Sequence, residues 1–351
     1  MNNKPNIAVL YTGGTIGMQA GIHGLCPSKQ TVLQALDAYQ DHAHFDITVC
    51  EPLIDSSQVT PQHWCQWQQW LRQQIHQQVD AVLILHGTDT MAYTANVLAF
   101  AMGTLRVPVV LTGSQYPLGS DDGDAEDNLE AAVQALLQKV ALNGVSVVFA
   151  NQLFAAMGCR KISTQSLNGF DNKHTPSLET FSNGVWTHKQ RDLRDGYQRV
   201  VCGTQAGKDL LKAAAFVYTS LDDNIKIASH YCVPTSDQWA LRALLQSGAQ
   251  AVIVQSFGHG NGLFSEEDIA AMKQYQTQGG VVVNVSQVFE GHVASQYEAS
   301  QALQDAGVFA AGAWTVETAY AKLWVALSKG LTHQAVQAYL SEDVLGETYY
   351  L

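Results

Sequence analysis

Short uninterrupted runs of apolar residues, separated by longer amphipathic stretches, dominate this chain. Residues 7–11 (IAVLY) and 81–85 (AVLIL) are the two clearest runs. Runs without hydrophobic–polar alternation are typical of parallel strands covered on both faces. Each run ends in a segment that carries glycine and threonine, residues 12–17 after the first and 86–90 after the second. Both segments are therefore predicted at the carboxyl ends of strands, where open α/β sheets bind their ligands.

Strand and helix signals then alternate along most of the chain. Further strands are predicted at residues 46–50, 107–111, 145–150, 213–218, 251–255 and 281–285. Helices are predicted at residues 28–39, 90–102, 237–246, 266–278 and 316–328, and two more begin near residue 61 and near residues 124–128. This alternation is typical of a parallel sheet with helices on both faces. Residues 19–27 are predicted as a turn-rich loop.

Local start and stop signals support several of these helices. Thr60 followed by Pro61 is typical of a helix start, because threonine caps free amides and proline fits the first turn. Ser265 with Asp268 predicts a capping box, and Gly330 is placed to end the helix before it. The helix after Pro61 carries an apolar stripe at three- and four-residue spacing, which predicts a face packed on the core. The stripe consists of Trp64, Trp67, Leu71 and Ile75.

Weak periodicity between residues 189 and 207 predicts a division into two domains. With 351 residues, 46% of them hydrophobic, the chain can bury two cores. The predicted fold class is α/β. A larger N-terminal domain with a parallel sheet is predicted over residues 1–190, a linker over 191–212, and a smaller C-terminal α/β domain over 213–351.

Composition argues against several classes of partner and site. The net formal charge is −12 and no basic cluster offsets it, which disfavours nucleic acid and anionic membranes. There is no apolar run of about 18 residues and no signal-peptide pattern, so we expect a cytoplasmic protein that does not bind membranes. The six cysteines and twelve histidines are scattered, so neither a disulfide framework nor a metal site is predicted.

The first glycine-bearing segment does not fit a nucleotide-binding turn. Its glycines, at 13, 14 and 17, do not form G-x-G-x-x-G, and the chain has no G-K-[ST] phosphate loop. We interpret the glycines as allowing close approach of a small substrate while Thr15 stays exposed. A tight turn with a buried, hydrogen-bonded threonine is the alternative interpretation.

The second segment adds groups that handle protons. A threonine hydroxyl is a weak nucleophile until a base activates it, and a lysine shielded from water gives up its proton more readily. Thr88, Asp89 and a lysine would therefore form a proton-handling unit. Lys161 is the candidate because it follows the strand predicted at residues 145–150, although by itself it resembles an ordinary surface lysine.

Taken together, the two segments resemble the signatures of the bacterial L-asparaginases of types I and II. Residues 12–17 read TGGTIG and residues 86–91 read HGTDTM, and both are intact. Residues 112–115, 281–284 and 312–317 are similar to further stretches of that family, so the resemblance extends over essentially the whole chain. The sequences around both signatures are most similar to those of the cytoplasmic type I enzymes.

The resemblance implies a fold, a reaction and an assembly. The larger domain would be flavodoxin- or Rossmann-like. Members of the family hydrolyse the side-chain amide of L-asparagine to L-aspartate and ammonia through an acyl-threonine, without a metal or a cofactor. The implied assembly is a homodimer or homotetramer, in which the second domain of a neighbour completes the pocket.

The resemblance also implies roles for individual residues. Thr15 matches the primary nucleophile, and the second triad consists of Thr88, Asp89 and Lys161. The loop that binds the substrate carboxylate matches Asp55, Ser56 and Ser57. Within that scheme Ser56 would bind the α-carboxylate of the substrate, while Thr88 and Asp89 also belong to its binding site, with Asp89 on the α-ammonium.

Two departures from the family pattern leave alternatives open. Leu25 stands where many members have a tyrosine that helps to activate the first threonine, and Cys159 and Arg160 precede Lys161 in place of two threonines. The favoured prediction is an L-asparaginase with minor glutaminase activity. The alternative is an asparaginase-fold protein that binds an amino acid, or a relative of amidotransferases, with little hydrolase activity.

Overall fold

The chain folds into two compact units in its computed structural model, residues 1–217 and 218–351. The structure describes residues 4–21, 24–103, 105–141, 144–174, 177–188, 218–294 and 298–345. The linker predicted at 191–212 lies outside the described residues, as does all but the last residue of the strand predicted at 213–218. The domain limits at residues 190 and 213 therefore stay predictions. No described helix combines the length and the apolar content needed to cross a membrane.

A sheet of eight strands forms the centre of the first unit, in the order β12-β11-β8-β7-β6-β5-β1-β4. Five strands are parallel: β1 (Asn6–Gly13), β4 (His44–Ile54), β5 (Ala81–Leu85), β6 (Pro108–Thr112) and β7 (Gly144–Phe149). Every residue of β5 and β7 is buried, which explains why these strands read as unbroken apolar runs.

The predicted parallel sheet is confirmed, and three antiparallel strands extend it on one side. Strands β8 (Gln152–Ala155), β11 (Glu179–Ser182) and β12 (Val185–His188) pair antiparallel with their neighbours. The chain reverses between β7 and β8 through Ala150 and Asn151, which have φ angles of 49° and 59°. A hairpin turn with two positive φ angles usually contains glycine, so the sequence carried no hairpin signal here.

Among the described residues of the first unit, four helices cover the sheet: α1 (Lys29–Asp37), α2 (Pro61–His76), α3 (Met91–Met102) and α4 (Ala125–Leu137). Their predicted starts are confirmed to within one or two residues. The stripe on α2 is a core face, because Trp64, Trp67 and Leu71 are buried. Helix α3 is buried along eleven of its twelve residues, and its N-terminus follows directly on the 86–90 segment.

Two small hairpins lie outside the large sheet. The predicted loop at residues 19–27 is one of them, because β2 (Met18–Gly21) pairs antiparallel with β3 (Gly24–Pro27). The amide of Ser28 donates to the carbonyl of Gly17 over 2.8 Å and closes the base of this hairpin. The other hairpin pairs β9 (Arg160–Lys161) with β10 (Phe170–Asp171), so Lys161 does not lie on an edge of the large sheet.

The second unit contains a parallel sheet in the order β13 (Ile227–Tyr231), β14 (Ala251–Ser256), β15 (Val281–Ser286) and β16 (Phe309–Ala310). Its described helices are α5 (Trp239–Leu245), α6 (Glu266–Thr277), α7 (Glu298–Asp305), α8 (Val316–Ser328) and α9 (His333–Ser341). The predicted capping box is confirmed, because the hydroxyl of Ser265 and the carboxylate of Asp268 each accept from the other's backbone amide. Strand β13 and helices α7 and α9 were not predicted.

Candidate active site

The turn after β1 requires glycine at two positions. Gly13 and Gly14 have φ angles of 127° and 87°. A Cβ atom at Gly13 would lie 2.3 Å from the carbonyl oxygen of Ile54, and one at Gly14 would lie 2.4 Å from the Cα atom of Gly87. Only glycine permits these two contacts. The first glycine-bearing segment is thereby packed, backbone against backbone, on the second.

Thr15 opens a single 3₁₀ turn, residues Thr15–Gly17, directly beyond the contact of Gly14 with Gly87. Its side chain is half-buried, and its hydroxyl bonds to no other side chain within the part of the chain that the structure describes. The turn is held by its backbone, because the amide of Leu118 donates to the carbonyl of Ile16 over 3.1 Å. Thr15 therefore carries a hydroxyl group on a fixed turn, without a competing side-chain bond.

A buried histidine shapes the second turn. His86 Nε2 lies 2.9 Å from Thr94 Oγ1, which also accepts from the indole of Trp64 over 2.8 Å. The hydroxyl hydrogen of Thr94 is then directed to Nε2, so Nδ1 carries the ring proton and donates to the carbonyl of Gly87 over 2.6 Å. Burial lowers the pKa of His86 to about 4, although the bond to Gly87 acts in the opposite direction. A neutral His86 thus orients the Gly87–Thr88 peptide.

Lys161 meets Thr88 and Asp89 at the end of this turn. Its Nζ donates to Thr88 Oγ1 over 2.6 Å and to Asp89 Oδ1 over 2.7 Å. The side chain of Lys161 is 17% exposed and that of Asp89 is 55% exposed, so the ion pair opens to solvent on the carboxylate side. An ammonium group that holds a hydroxyl and a carboxylate together can pass protons to and from the threonine.

The β9–β10 hairpin brings Lys161 to this place. Lys161 pairs directly with Phe170, whose ring packs against that of Phe149 at a centroid distance of 4.8 Å. Phe149 is the last residue of β7, so the small hairpin is anchored on the large sheet. Gln115, three residues beyond the end of β6, donates its side-chain amide to the carbonyl of Ser163 over 3.0 Å and restrains the hairpin from the other side.

A third segment, residues 55–58, lies against the second turn. Ser56 is buried, and its Oγ accepts from the backbone amide of Asp89 over 3.1 Å. A Cβ atom at Gly87 would lie only 2.6 Å from that Oγ, so this glycine too is required by a close approach. The carboxylate of Asp55 accepts from both the amide and the hydroxyl of Ser57 over 2.9 Å and caps the short 3₁₀ turn that begins at Ser56.

Most of the predicted site residues lie together in the first unit. Thr88, Asp89 and Lys161 form one hydrogen-bonded group, and Ser56 is bonded to its backbone. Thr15 sits on the turn that contacts Gly87, whereas Asp55 and Ser57 bond chiefly to each other. Among the described residues, no three histidine, cysteine, aspartate or glutamate side chains are grouped in a way that would hold a metal ion.

Comparison with known proteins places this geometry in a family. Residues 6–193 match the family described as Asparaginase, N-terminal, and residues 226–340 match the Glutaminase/Asparaginase C-terminal domain. The chain belongs to the asparaginase family. It is 30% identical to L-asparaginase 1 of Escherichia coli (strain K12) over 353 residues, which cover 98% of each chain. The resemblance drawn from the two signatures is confirmed.

Two further relatives of this asparaginase-family chain show the range of the family. L-asparaginase I from Vibrio cholerae O1 has a solved structure that superposes with a TM-score of 0.84 at 28% identity and covers 98% of this chain and 99% of its own. The 60 kDa lysophospholipase of Mus musculus is 29% identical over 374 residues, covering 99% of this chain. This chain spans 63% of the length of that mouse relative. The family alone therefore does not fix the substrate.

Two residues of the asparaginase site were not predicted as functional. His86 is part of the HGTDTM signature but follows an apolar strand, and nothing in the sequence indicated that its ring would clamp Gly87. Thr90 follows Asp89, and the sequence predicted it only as the start of a helix. Its hydroxyl donates to the carbonyl of Ser56 over 2.8 Å. For Thr90 a signal was present in the sequence, because it is one of four polar residues in a short signature in which only Thr88 and Asp89 were given chemical roles.

Proposed function

We propose that this chain is an L-asparaginase, which hydrolyses the side-chain amide of L-asparagine to L-aspartate and ammonia through an acyl-threonine at Thr15. One observation carries the proposal: Lys161 Nζ lies 2.6 Å from the hydroxyl of Thr88 and 2.7 Å from the carboxylate of Asp89. This group stands on a turn whose backbone contacts the turn of Thr15. Similarity to L-asparaginases along the whole chain supports the same reaction.

In the proposed first step, Thr15 Oγ attacks the carbon of the side-chain amide, and its hydroxyl proton replaces the one that Lys161 gives up. The carbon–nitrogen bond then breaks, and the leaving nitrogen needs a proton to depart as ammonia. Lys161 donates to Thr88 Oγ1, so the hydroxyl hydrogen of Thr88 is free to go to that nitrogen while the lysine replaces it. General acid catalysis of this kind typically contributes about 10²–10⁴-fold to a rate.

In the proposed second step, water attacks the acyl-threonine and L-aspartate leaves. One water proton passes through Thr88 and Lys161 to the departing Thr15 Oγ, which restores the hydroxyl of Thr15 and the starting state. Backbone amides near Gly14 and Thr88 would face the developing oxyanion, and one such donor is worth about 3 kcal/mol of transition-state stabilisation. No metal or organic cofactor is required by this scheme.

Ser56 and Asp89 would bind the charged ends of the substrate. Ser56 would contact the α-carboxylate, and the exposed side of the Asp89 carboxylate would contact the α-ammonium. The backbone of Asp89 is already bonded to Ser56, so the two groups are held at a fixed separation. L-glutamine, with one more methylene, would be hydrolysed about 10–200-fold less efficiently, because a methylene is worth about 1–3 kcal/mol of discrimination.

Ammonia release from L-asparagine by the purified protein tests the proposal. We expect turnover by the wild type, less with L-glutamine, and essentially none by Thr15→Ala, which should still bind L-aspartate. The exposed threonine of β12 offers a matched control, so Thr187→Ala should keep full activity. Mass spectrometry after acid quench should find the aspartyl adduct on Thr15.

The main alternative is a protein that binds an amino acid without hydrolysing it, or a relative of amidotransferases. It would be favoured by calorimetric binding of L-asparagine to the wild type without release of ammonia. Full activity of Thr15→Ala would instead overturn the assignment of the nucleophile while leaving the reaction in place.

A further inference from the structure

Thr90 occupies the N-cap position of α3 but does not cap it. Threonine at this position usually accepts a hydrogen bond from an amide in the first turn of its helix. Here no such side-chain bond is present, and the hydroxyl instead donates to the carbonyl of Ser56 over 2.8 Å. Helix α3 thus forgoes about 1 kcal/mol of capping stabilisation. Local rules are most often broken where a site needs the residue for another purpose.

The bond from Thr90 is one of two that join the same pair of segments. The amide of Asp89 donates to Ser56 Oγ over 3.1 Å, so consecutive residues of one turn hold both the side chain and the carbonyl of Ser56. Ser56 itself is buried, and its Oγ would be in contact with any side chain added at Gly87. The position of Ser56 relative to Asp89 is therefore set by two hydrogen bonds and one steric limit.

From this geometry we infer that Thr90 is a positioning residue for substrate binding. It holds Ser56 beside Asp89, and these are the two residues proposed to bind the carboxylate and the ammonium of an α-amino acid. The inference rests on the proposed function. It gives a role to Thr90, which has none in the proposed reaction scheme. Thr90 does not touch the reacting atoms, so it affects the affinity for the substrate and not the rate of the chemical step.

The inference predicts an effect on KM that is separate from kcat. Thr90→Val keeps the shape of the side chain and removes the hydroxyl, so the bond to Ser56 is lost. One hydrogen bond of this kind corresponds to about a tenfold change in affinity. We expect KM for L-asparagine to rise about tenfold while kcat stays within twofold. Thr90→Ser keeps a hydroxyl and should restore a KM within about twofold of the wild type.

Competitive inhibition separates positioning from general loosening of the turn. L-Aspartate carries the α-carboxylate that Ser56 would bind, whereas β-alanine lacks it. In Thr90→Val the inhibition constant of L-aspartate should rise about tenfold and that of β-alanine should stay unchanged. Thr332→Val is the matched control, because Thr332 does cap its helix, α9, and accepts from the amide of Ala335. That variant should unfold at a lower temperature with an unchanged KM.

Each result has a defined meaning. If the wild type releases no ammonia, the proposed function fails and the inference fails with it. If the wild type is active but Thr90→Val has the wild-type KM, only the inference is overturned. A loss of kcat at constant KM, or an equal rise in both inhibition constants, also overturns it. Should Thr90→Val not fold, Thr90→Ala with Thr90→Ser as its rescue makes the same comparison.

Discussion

The turn of Thr15 and the turn of Thr88 are built alike and held differently. Both follow buried parallel strands, and they touch through Gly14 and Gly87. Thr88 is bonded to Lys161 over 2.6 Å, whereas the hydroxyl of Thr15 has no side-chain partner within the described residues. The first turn also leads into the β2–β3 hairpin, whereas the second leads into buried helix α3.

This difference fits a division of labour. A group that relays protons needs its hydrogen-bond partners in place before the substrate binds. If the partners had to be ordered during the reaction, the loss of entropy would raise the activation barrier. The attacking oxygen must instead be able to reach the carbon of the substrate, and it becomes a strong nucleophile only when a base takes its proton. The turn of Thr88 therefore suits proton transfer. The turn of Thr15, whose hydroxyl has no side-chain partner among the described residues, suits attack on the substrate.

The largest expected effect comes from removing the proton relay. Lys161→Met keeps the length and much of the volume of the side chain but removes the ammonium, so kcat should fall about 10²–10⁴-fold. Steady-state ammonia release measures the change. Lys173→Met is the control, because Lys173 forms an ion pair with Asp171 over 3.0 Å near the same hairpin. A kcat within threefold of the wild type in Lys161→Met would mean that the two turns do not differ in the way described.

Forcing the two turns apart should be the next most damaging change. Gly14→Ala would place a methyl group 2.4 Å from the Cα atom of Gly87 at a φ of 87°. The free energy of unfolding should fall by roughly 2–4 kcal/mol, and kcat/KM should fall as well, because overpacking adds to the strain of a positive φ.

Gly119→Ala isolates the backbone contribution to that effect. Gly119 has the same φ of 87°, but no atom lies within 4 Å of the added methyl group. Denaturant unfolding measures the loss of stability in both variants. Gly119→Ala reports the backbone strain alone, and Gly14→Ala reports the same strain together with the close contact to Gly87. Equal losses of stability in Gly14→Ala and Gly119→Ala would show that the contact between the two turns is unimportant.

Acid should weaken the second turn through His86. Burial lowers the pKa of His86 from 6.5 to about 4. Between pH 6.5 and 4, His86 is therefore protonated in the unfolded chain and neutral in the folded chain. The free energy of unfolding attributable to this group should therefore fall by on the order of 3 kcal/mol between pH 6.5 and 4. Urea unfolding across this range should show the fall in the wild type and not in His86→Gln. The exposed His44 provides the control, since His44→Gln should keep the wild-type slope.

The smallest effect is expected in the hairpin that follows Thr15. Leu25 lies in β3, opposite Ala20 in β2, at the position where the resemblance implied an activating tyrosine. If Thr15 lacks such help in this chain, Leu25→Tyr should raise kcat by up to about tenfold. Pre-steady-state measurement of the first turnover would detect the gain in the acylation step. A kcat that is unchanged or lower would indicate that Thr15 is activated by groups outside this hairpin.

The sequence predicted the fold where its signals were periodic or local. Buried runs such as residues 81–85 and capped helices such as α6 were placed to within a few residues. The antiparallel strands β8, β11 and β12 were missed for two different reasons. The turn between β7 and β8 contains no glycine, so it carries no hairpin signal. The turn between β11 and β12 is Asn183-Gly184, so this hairpin was predictable from the sequence. The β2–β3 hairpin was missed because its turn residues read as loop in any context.

The candidate site divides in the same way. Thr15, Thr88 and Asp89 stand in two signatures and needed no coordinates to be singled out. Lys161 was named only through a resemblance, and its contact with Thr88 depends on a hairpin anchored by Phe170, far from either signature. Thr90 acquired its contact only when its segment met that of Ser56, and the environment that buries His86 likewise depends on α2 and α3.

By itself, the sequence determined the two glycine-bearing turns, the strands that deliver them and the kind of chemistry they carry. These features are encoded locally, because apolar runs define buried strands and glycine permits close backbone approach. Only the tertiary structure decided which lysine bonds to Thr88, which ring nitrogen of His86 carries the proton and which group accepts the hydrogen bond of the Thr90 hydroxyl. The bonds from Lys161 to Thr88 and from Thr90 to Ser56 join residues that are 73 and 34 positions apart. The proton of His86 depends on Thr94, whose hydroxyl is in turn oriented by Trp64 from 30 positions away.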